Sequence, residues 1–245
     1  IGSFKEREDM QRWLLHEKRT TGWDTPLNAV DAIYAFLADN SGKADMSKLS
    51  GSASTVLSVD GKTIDTPQAT AGLGYVKATL PSAQAKTFTA TKTDQGTSWG
   101  AIYAQYRQKA TDVTDAASGI QVKREILHSR DLTPVTTLKV GDKVVVRITI
   151  TASRDYDFVQ VQDKRAACME PAGQLSGYRG GYYSAPQDNV TNYYFDRLAK
   201  GKHIIETGYY VDREGEYATG ICTVQCAYSP EFSGREAAKT IRVSR

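Results

Sequence analysis

Three cysteines and three histidines in 245 residues leave few of the side chains that hold transition metals or serve as nucleophiles. No stretch approaches the roughly 20 apolar residues needed to cross a bilayer, so direct membrane insertion is not expected. Neither sign of charge dominates. The 31 Lys and Arg are interspersed with 28 Asp and Glu, for a net charge of +3, and they form no cationic stripe of the kind a phosphate backbone requires. Nucleic acid is therefore not an expected partner. The chain opens on Ile1-Gly2-Ser3, with neither Met nor a charged-then-apolar leader, and reads as starting in the middle of a longer protein. It has no nucleophile elbow, phosphate-binding glycine loop, paired-histidine zinc motif or calcium loop. No catalytic, cofactor-binding or metal-ligating residue is singled out, and the chain is not expected to be an enzyme.

What is present is strand-forming material. Fourteen Tyr, with many Thr and Val, favour pleated, half-buried surfaces, and 40% hydrophobic content supplies a sizeable core. A mainly β fold follows. The first 42 residues are the exception. Met10, Trp13 and Leu14 recur at helical spacing, and Val30, Ile33, Tyr34 and Leu37 form an i, i+3, i+4, i+7 stripe. Thr25 is placed as N-cap ahead of Pro26, and Asn40-Ser41-Gly42 supplies the stop. Two helices of this length cannot bury enough apolar surface by themselves. Either they pack on the β part, or they close a larger helical domain.

Past Ser54 the period changes to 2. VLSVDGKTI reads as two strands about a tight turn at Asp60-Gly61. GYVKATLP, TFTATK and WGAIYAQYR follow as strands, the last with Ile102, Ala104 and Tyr106 on one face. The polar stretch at 111–119 reads as a linker. Beyond it, GDKVVVRITITA puts Val144, Val146, Ile148 and Ile150 inward, and DFVQVQD, KHIIETGYYV, ATGICTVQCAY and KTIRV continue the series. About seven antiparallel strands here suit a β-sandwich.

Three features invite a chemical reading. His16, His128 and His203 lie far apart and read as surface or satisfied histidines. Cys222 and Cys226 share a strand face at a separation of about 13 Å, too far for a disulfide. Cys168 could reach one of them across a sheet, or all three could be small apolar fillers. GYRGGYYSAP and NYYF gather five tyrosines and a phenylalanine within residues 178–195. Such rings either stack on sugars, as in a cell-surface carbohydrate-binding or adhesion module, or pack from a long loop onto the sandwich rim. Asn189-Val190-Thr191 is formally a glycosylation sequon, with meaning only in a eukaryotic secretory setting.

Several spaced motifs occur together in the last part of the chain. They are Val140-Gly141-Asp142 with Val144 and Val146, Asp163 through Glu170-Pro171, Tyr194-Phe195 with Leu198 and Gly201, and AYSPEFSG at 227–234. In this order they resemble the last domain of bacterial alpha-2-macroglobulin-like proteins, a family of protease-trapping inhibitors. The resemblance implies that residues 1–42 are the final helical hairpin of a thioester-type α/α domain and residues 43–112 the second half of a CUB-like β domain. Residues 113–245 would be the C-terminal macroglobulin-type β-sandwich. The implied fold is therefore mainly β, with two antiparallel sandwiches preceded by a truncated helical hairpin.

The function so implied is a non-catalytic scaffold in a periplasmic or outer-membrane-anchored cell-envelope lipoprotein. Trapped proteases are partners of the full-length protein, and the helical domain docks intramolecularly. In thioester-bearing members the reactive motif is Cys-Gly-Glu-Gln. Here Cys168-Met169-Glu170 is followed by Pro171 where the acyl-donating Gln would stand, which implies a structural Cys168.

Overall fold

The computed structural model describes residues 4–37, 55–64, 78–80, 85–93, 100–105, 107–135 and 137–245. The chain divides into two compact units, residues 1–17 with 23–107, and residues 18–22 with 108–245.

The first unit holds most of helix α1 (Phe4–Thr20) and all of α2 (Pro26–Leu37). Thr25 caps α2 as its sequence position predicts, its Oγ1 accepting from the Asn28 amide at 3.2 Å. The stop expected at residues 40–42 lies outside the described residues. Gln11 Nε2 donates to the Phe36 carbonyl at 2.8 Å, which ties the two helices together. Met10, Trp13, Val30 and Ile33 remain exposed, as expected of two short helices that cannot enclose a core.

Strands β1 (Thr55–Val59) and β2 (Lys62–Thr63) form the expected hairpin. Asp60 and Gly61 carry φ of 48° and 77°, the left-handed pair that a primed turn demands. Asp60 also accepts from the Thr87 amide at 2.8 Å, locking the turn to the start of β3 (Phe88–Lys92), which pairs antiparallel with β1. The strand expected in WGAIYAQYR does not form over 100–105, where both faces are exposed and no neighbouring strand satisfies the backbone; Tyr106 lies outside the described residues. Residues 74–77 of GYVKATLP are likewise outside, and 78–80 are not strand.

The second unit is built from fourteen strands. In chain order they are β4 (Ala116–Ser118), β5 (Ile120–His128), β6 (Leu138–Lys139), β7 (Lys143–Ala152), β8 (Tyr156–Lys164), β9 (Met169–Pro171) and β10 (Gly177–Arg179). They continue as β11 (Tyr182–Pro186), β12 (Val190–Leu198), β13 (Gly201–Val211), β14 (Gly215–Ala218), β15 (Cys222–Cys226), β16 (Ser233–Glu236) and β17 (Thr240–Ser244). Eleven of them form one continuous sheet in the order β10-β11-β12-β8-β15-β16-β4-β5-β7-β13-β9. It folds over at β4, so that Val159, Val161, Phe195 and Val224 on one side share a core with Ile120, Val144, Ile148 and Ile150 on the other. The stretch at 111–119, expected as a linker, thus contributes the corner strand. Strand β7 alternates as predicted, with Val144, Val146, Ile148 and Ile150 all buried. A small sheet, β14-β17-β6, completes the unit, with β6 parallel to β17.

Among the described residues the core contains one cation. Arg124 sits at an inward position of β5 with its side chain 4% exposed. Its Nη1 donates to Asp163 Oδ1 and the Lys164 carbonyl, each at 2.9 Å, and its Nη2 donates to Thr219 Oγ1 and the Gly220 carbonyl, each at 2.7 Å. Its own amide donates to Glu236. Burial pushes the Asp163 carboxyl up while Arg124 pulls it down. One side chain therefore joins β5, β8 and the turn ahead of β15, and the backbone amide of the same residue adds β16. The close approach requires glycine at 220. Its φ is +72°, and a Cβ there would fall 2.7 Å from the Lys164 carbonyl oxygen.

Two outcomes follow. Removing one partner leaves the other charge buried and unpaired, so Arg124→Met or Asp163→Leu should each cost about 3–5 kcal/mol in urea unfolding. The double substitution should cost less than the sum of the two, and additive losses would contradict the pairing. Gly220→Ala should destabilise by about 1–3 kcal/mol through its left-handed backbone and the carbonyl clash, and an unchanged urea midpoint would show that the turn relaxes freely.

Candidate functional site

The residue types expected to carry chemistry are placed structurally. Cys168, Cys222 and Cys226 are buried and free of disulfides. Burial raises the pKa of all three thiols, that of Cys222 most strongly, and a protonated buried thiol is a poor nucleophile. Met169, Glu170 and Pro171 pair with Val211, Tyr210 and Tyr209, which makes CMEP a strand edge. His203 contacts the Ala199 carbonyl through Nε2 at 2.7 Å. Among the described residues, no group of three or more His, Cys, Asp or Glu could hold a metal ion. No described helix is long and apolar enough to cross a membrane.

The aromatic stretch is not a loop. It forms β10, β11 and β12, and the two-residue period divides its rings between faces. Tyr182, Tyr193 and Phe195 turn inward, with Tyr182 5.6 Å from Tyr193 and 5.4 Å from Phe195 between ring centroids. Tyr178, Tyr183 and Tyr194 stand on the opposite face. The sequence offered stacking on a ligand or packing onto the sandwich, and the structure divides the same six residues between outward and inward positions.

A further set of directed contacts was invisible to sequence reasoning. It seats residues 18–22 on the strand β8 and on the turn between β15 and β16. Arg19 Nε donates to Glu231 Oε1 at 2.8 Å, and its guanidinium lies 5.6 Å from the Phe232 ring centroid. The Ser229 hydroxyl donates to the Arg19 carbonyl, and the Gly22 amide donates to Asp157 Oδ2. Thr20 is buried at the centre of the contact. Burial raises the Glu231 carboxyl, but the hydrogen bond and charge of Arg19 outweigh it, leaving Glu231 below the ordinary range. Ser229, Glu231 and Phe232 all belong to AYSPEFSG, so a stretch noted only as a motif proves to be a receptor for a distant segment.

The backbone beneath is shaped for this contact. Phe158 adopts φ of 57°, a conformation that costs a bulky residue about 1–3 kcal/mol. The bend lets its carbonyl accept from the Ala227 amide at 2.8 Å, and leaves its ring edge-on to Tyr228 with centroids 5.2 Å apart. A Cβ at position 22 would lie 3.4 Å from Asp157 Oδ2 and 3.5 Å from Phe158, so glycine lets the segment lie close. The arrangement can hold a peptide segment, and its ion pair is open to solvent and salt.

A family model described as the bacterial alpha-2-macroglobulin MG10 domain matches residues 119–231. No curated protein matches the chain. Among solved structures, a Salmonella alpha-2-macroglobulin mutant, Y1175G, is 19% identical over 54% of this chain with a TM-score of 0.50. Escherichia coli alpha-2-macroglobulin from domain MG7 to the C-terminus is 17% identical over 55% of this chain and 25% of its own, with a TM-score of 0.48. Escherichia coli alpha-2-macroglobulin activated by porcine elastase is 19% identical over 54% of this chain and 14% of its own, with a TM-score of 0.49. This chain spans 10% of the Salmonella protein's length. Residues 119–231, in the C-terminal part of the chain, are thus similar to the MG10 domain of bacterial alpha-2-macroglobulins.

Proposed function

We propose that the chain is a non-catalytic scaffold from the C-terminal part of a bacterial alpha-2-macroglobulin-like protease-trapping protein of the cell envelope. In this reading residues 1–42 close a thioester-type helical domain, residues 43–112 complete a CUB-like domain, and residues 113–245 form the terminal macroglobulin sandwich. The trapping machinery resides elsewhere in the longer protein, and the sandwich holds the segment at 18–22. The MG10 match supports the family, and one observation carries the role: residues 18–22 lie on the sandwich through Arg19, Ser229, Glu231 and Asp157. A segment at the end of a helix, fixed by a solvent-exposed ion pair and a few hydrogen bonds, is held firmly enough to define a position and weakly enough to be released.

The exposed Arg19–Glu231 pair contributes about 0.2–1 kcal/mol and the Ser229 hydroxyl about 1 kcal/mol. Arg19→Ala or Ser229→Ala should therefore raise hydrogen exchange at the Gly22 amide by roughly fivefold while leaving β7 protected. Unchanged exchange at Gly22 in both variants would remove the turn as the holding element. The pH dependence has a definite sign. A carboxyl with a lowered pKa contributes its stability above the unfolded value, about 4.3 for Glu, and loses it as the pH falls through the folded value. Protection of Gly22 should accordingly decline below about pH 4, and Glu231→Gln should lessen that decline.

The scaffold role makes a separate demand. The purified chain, added to trypsin, should leave hydrolysis of a chromogenic peptide unchanged and form no covalent adduct on a denaturing gel. Inhibition by these residues alone would overturn the assignment.

A further inference from the structure

We infer that the outer face of strands β10, β11, β12 and β8 is a binding surface for a neutral polysaccharide. The strand register sets its composition. Tyr178 stands opposite Tyr183, Tyr183 opposite Tyr194, Tyr194 opposite Gln160, and Gln160 opposite Gln225. In the row beside it, Asn192 stands opposite Gln162, and Gln162 opposite Thr223. Residues directly opposite one another share a face, so three tyrosines and an amide cluster form one continuous platform. With strands about 4.8 Å apart, the three tyrosine positions span roughly 10 Å across the sheet, a length suited to a short run of sugar rings.

Two of the rings are exposed for stacking, and Tyr183 between them is half-buried. Tyr178 is 74% exposed and Tyr194 41% exposed. Tyr178 and Tyr183 meet edge to face with centroids 5.2 Å apart, an arrangement that steadies both rings. Beside them the amides of Gln160 and Gln162 are already organised around Asn192, which is itself buried. Asn192 Oδ1 accepts from Gln162 Nε2 at 3.2 Å and from Gln160 Nε2 at 3.4 Å, and Asn192 Nδ2 donates to Gln187 Oε1 at 3.3 Å. Gln160 Nε2 also lies 3.4 Å from the Tyr194 hydroxyl, which couples the amide cluster to the aromatic row.

Charge identifies the occupant. The chain has 59 Lys, Arg, Asp and Glu (31 + 28), yet none occupies either row from β10 to β15, and Arg235 follows Thr223 only on β16. Lys164 and Asp196 lie at the two ends. An uncharged face gives no gain to an acidic glycan, a nucleic acid or a charged peptide. Tyrosine faces cover the C–H surfaces of a sugar ring, and primary amides both donate to and accept from hydroxyls. The matching chemistry is a neutral, hydroxyl-rich chain. The inference rests on the second unit alone and is independent of the scaffold reading above.

Affinity electrophoresis of the full chain in gels containing amylose, dextran or mixed-linkage β-glucan tests it, with alginate and heparin as charged controls. At least one neutral polymer should retard the protein, and Tyr178→Ala with Tyr183→Ala should weaken that retardation at least about tenfold at unchanged melting temperature. Should the double variant fold poorly, Tyr178→Ala alone gives the readout, because that ring is mostly in solvent. Gln160→Ala should weaken binding severalfold, and Tyr210→Ala, on the opposite layer, should not. Retardation by no neutral polymer overturns the inference. So does retention only by alginate or heparin that high salt abolishes, or binding that survives loss of both tyrosines.

Discussion

A buried guanidinium is the constraint on which the second unit depends. Arg124 occupies an inward position that the neighbouring residues Ile120 and Val122 fill with apolar side chains, and only complete hydrogen bonding offsets the loss of water there. The acceptors come from Asp163, Lys164, Thr219 and Gly220, parts of the chain far apart in sequence. Satisfying one cation therefore fixes how β5, β8 and the turn before β15 approach one another. Hydrophobic burial would tolerate small shifts among these strands, whereas the five donors of a planar guanidinium do not. The registers β8–β12 and β8–β15 inherit that precision, and both the docked segment and the tyrosine platform are built on β8.

The two outer features of β8 use its two kinds of geometry. At Phe158 the backbone departs from the pleat, and the bend sets Asp157 and Phe158 against residues 18–22. From Gln160 onward the strand is regular, and regularity aligns Gln160 and Gln162 with Tyr194 and Asn192 on the next strand. A local bend thus serves a contact within the chain, and an unbroken ladder serves a flat external surface. The contacts of residues 18–22 join two backbone groups of the segment to the Ser229 and Asp157 side chains and add an exposed ion pair, a modest set in energy.

Resemblance and geometry support each other unevenly. The MG10 match covers residues 119–231 and rests on the sandwich, whose fold the Salmonella structure shares. The motif AYSPEFSG gains a physical meaning only in three dimensions: its serine and glutamate face a segment more than two hundred residues earlier. CMEP, by contrast, loses chemical interest. Pro171 excluded a thioester from the sequence, and burial of Cys168 accounts for the residue as packing.

Much of the architecture was legible because it depends on short-range periodicity. The helix from Pro26 under its Thr25 cap, the turn at Asp60-Gly61 and the alternation of β7 each follow from residues that interact with near neighbours. Strand β5 escaped notice because Arg124 breaks the apolar alternation of Ile120 and Val122, and a cation reads as outward until its distant partners are known. The aromatic stretch could not be assigned to loop or strand, since that depended on β8 lying beside it. By itself, then, the sequence determined the mainly β class and the turn chemistry, both set by local conformational preference. Which charge could be buried, which segment the 229–232 turn receives and which tyrosines share a face were decided only by the tertiary structure, because each depends on strand register between residues the chain order keeps apart.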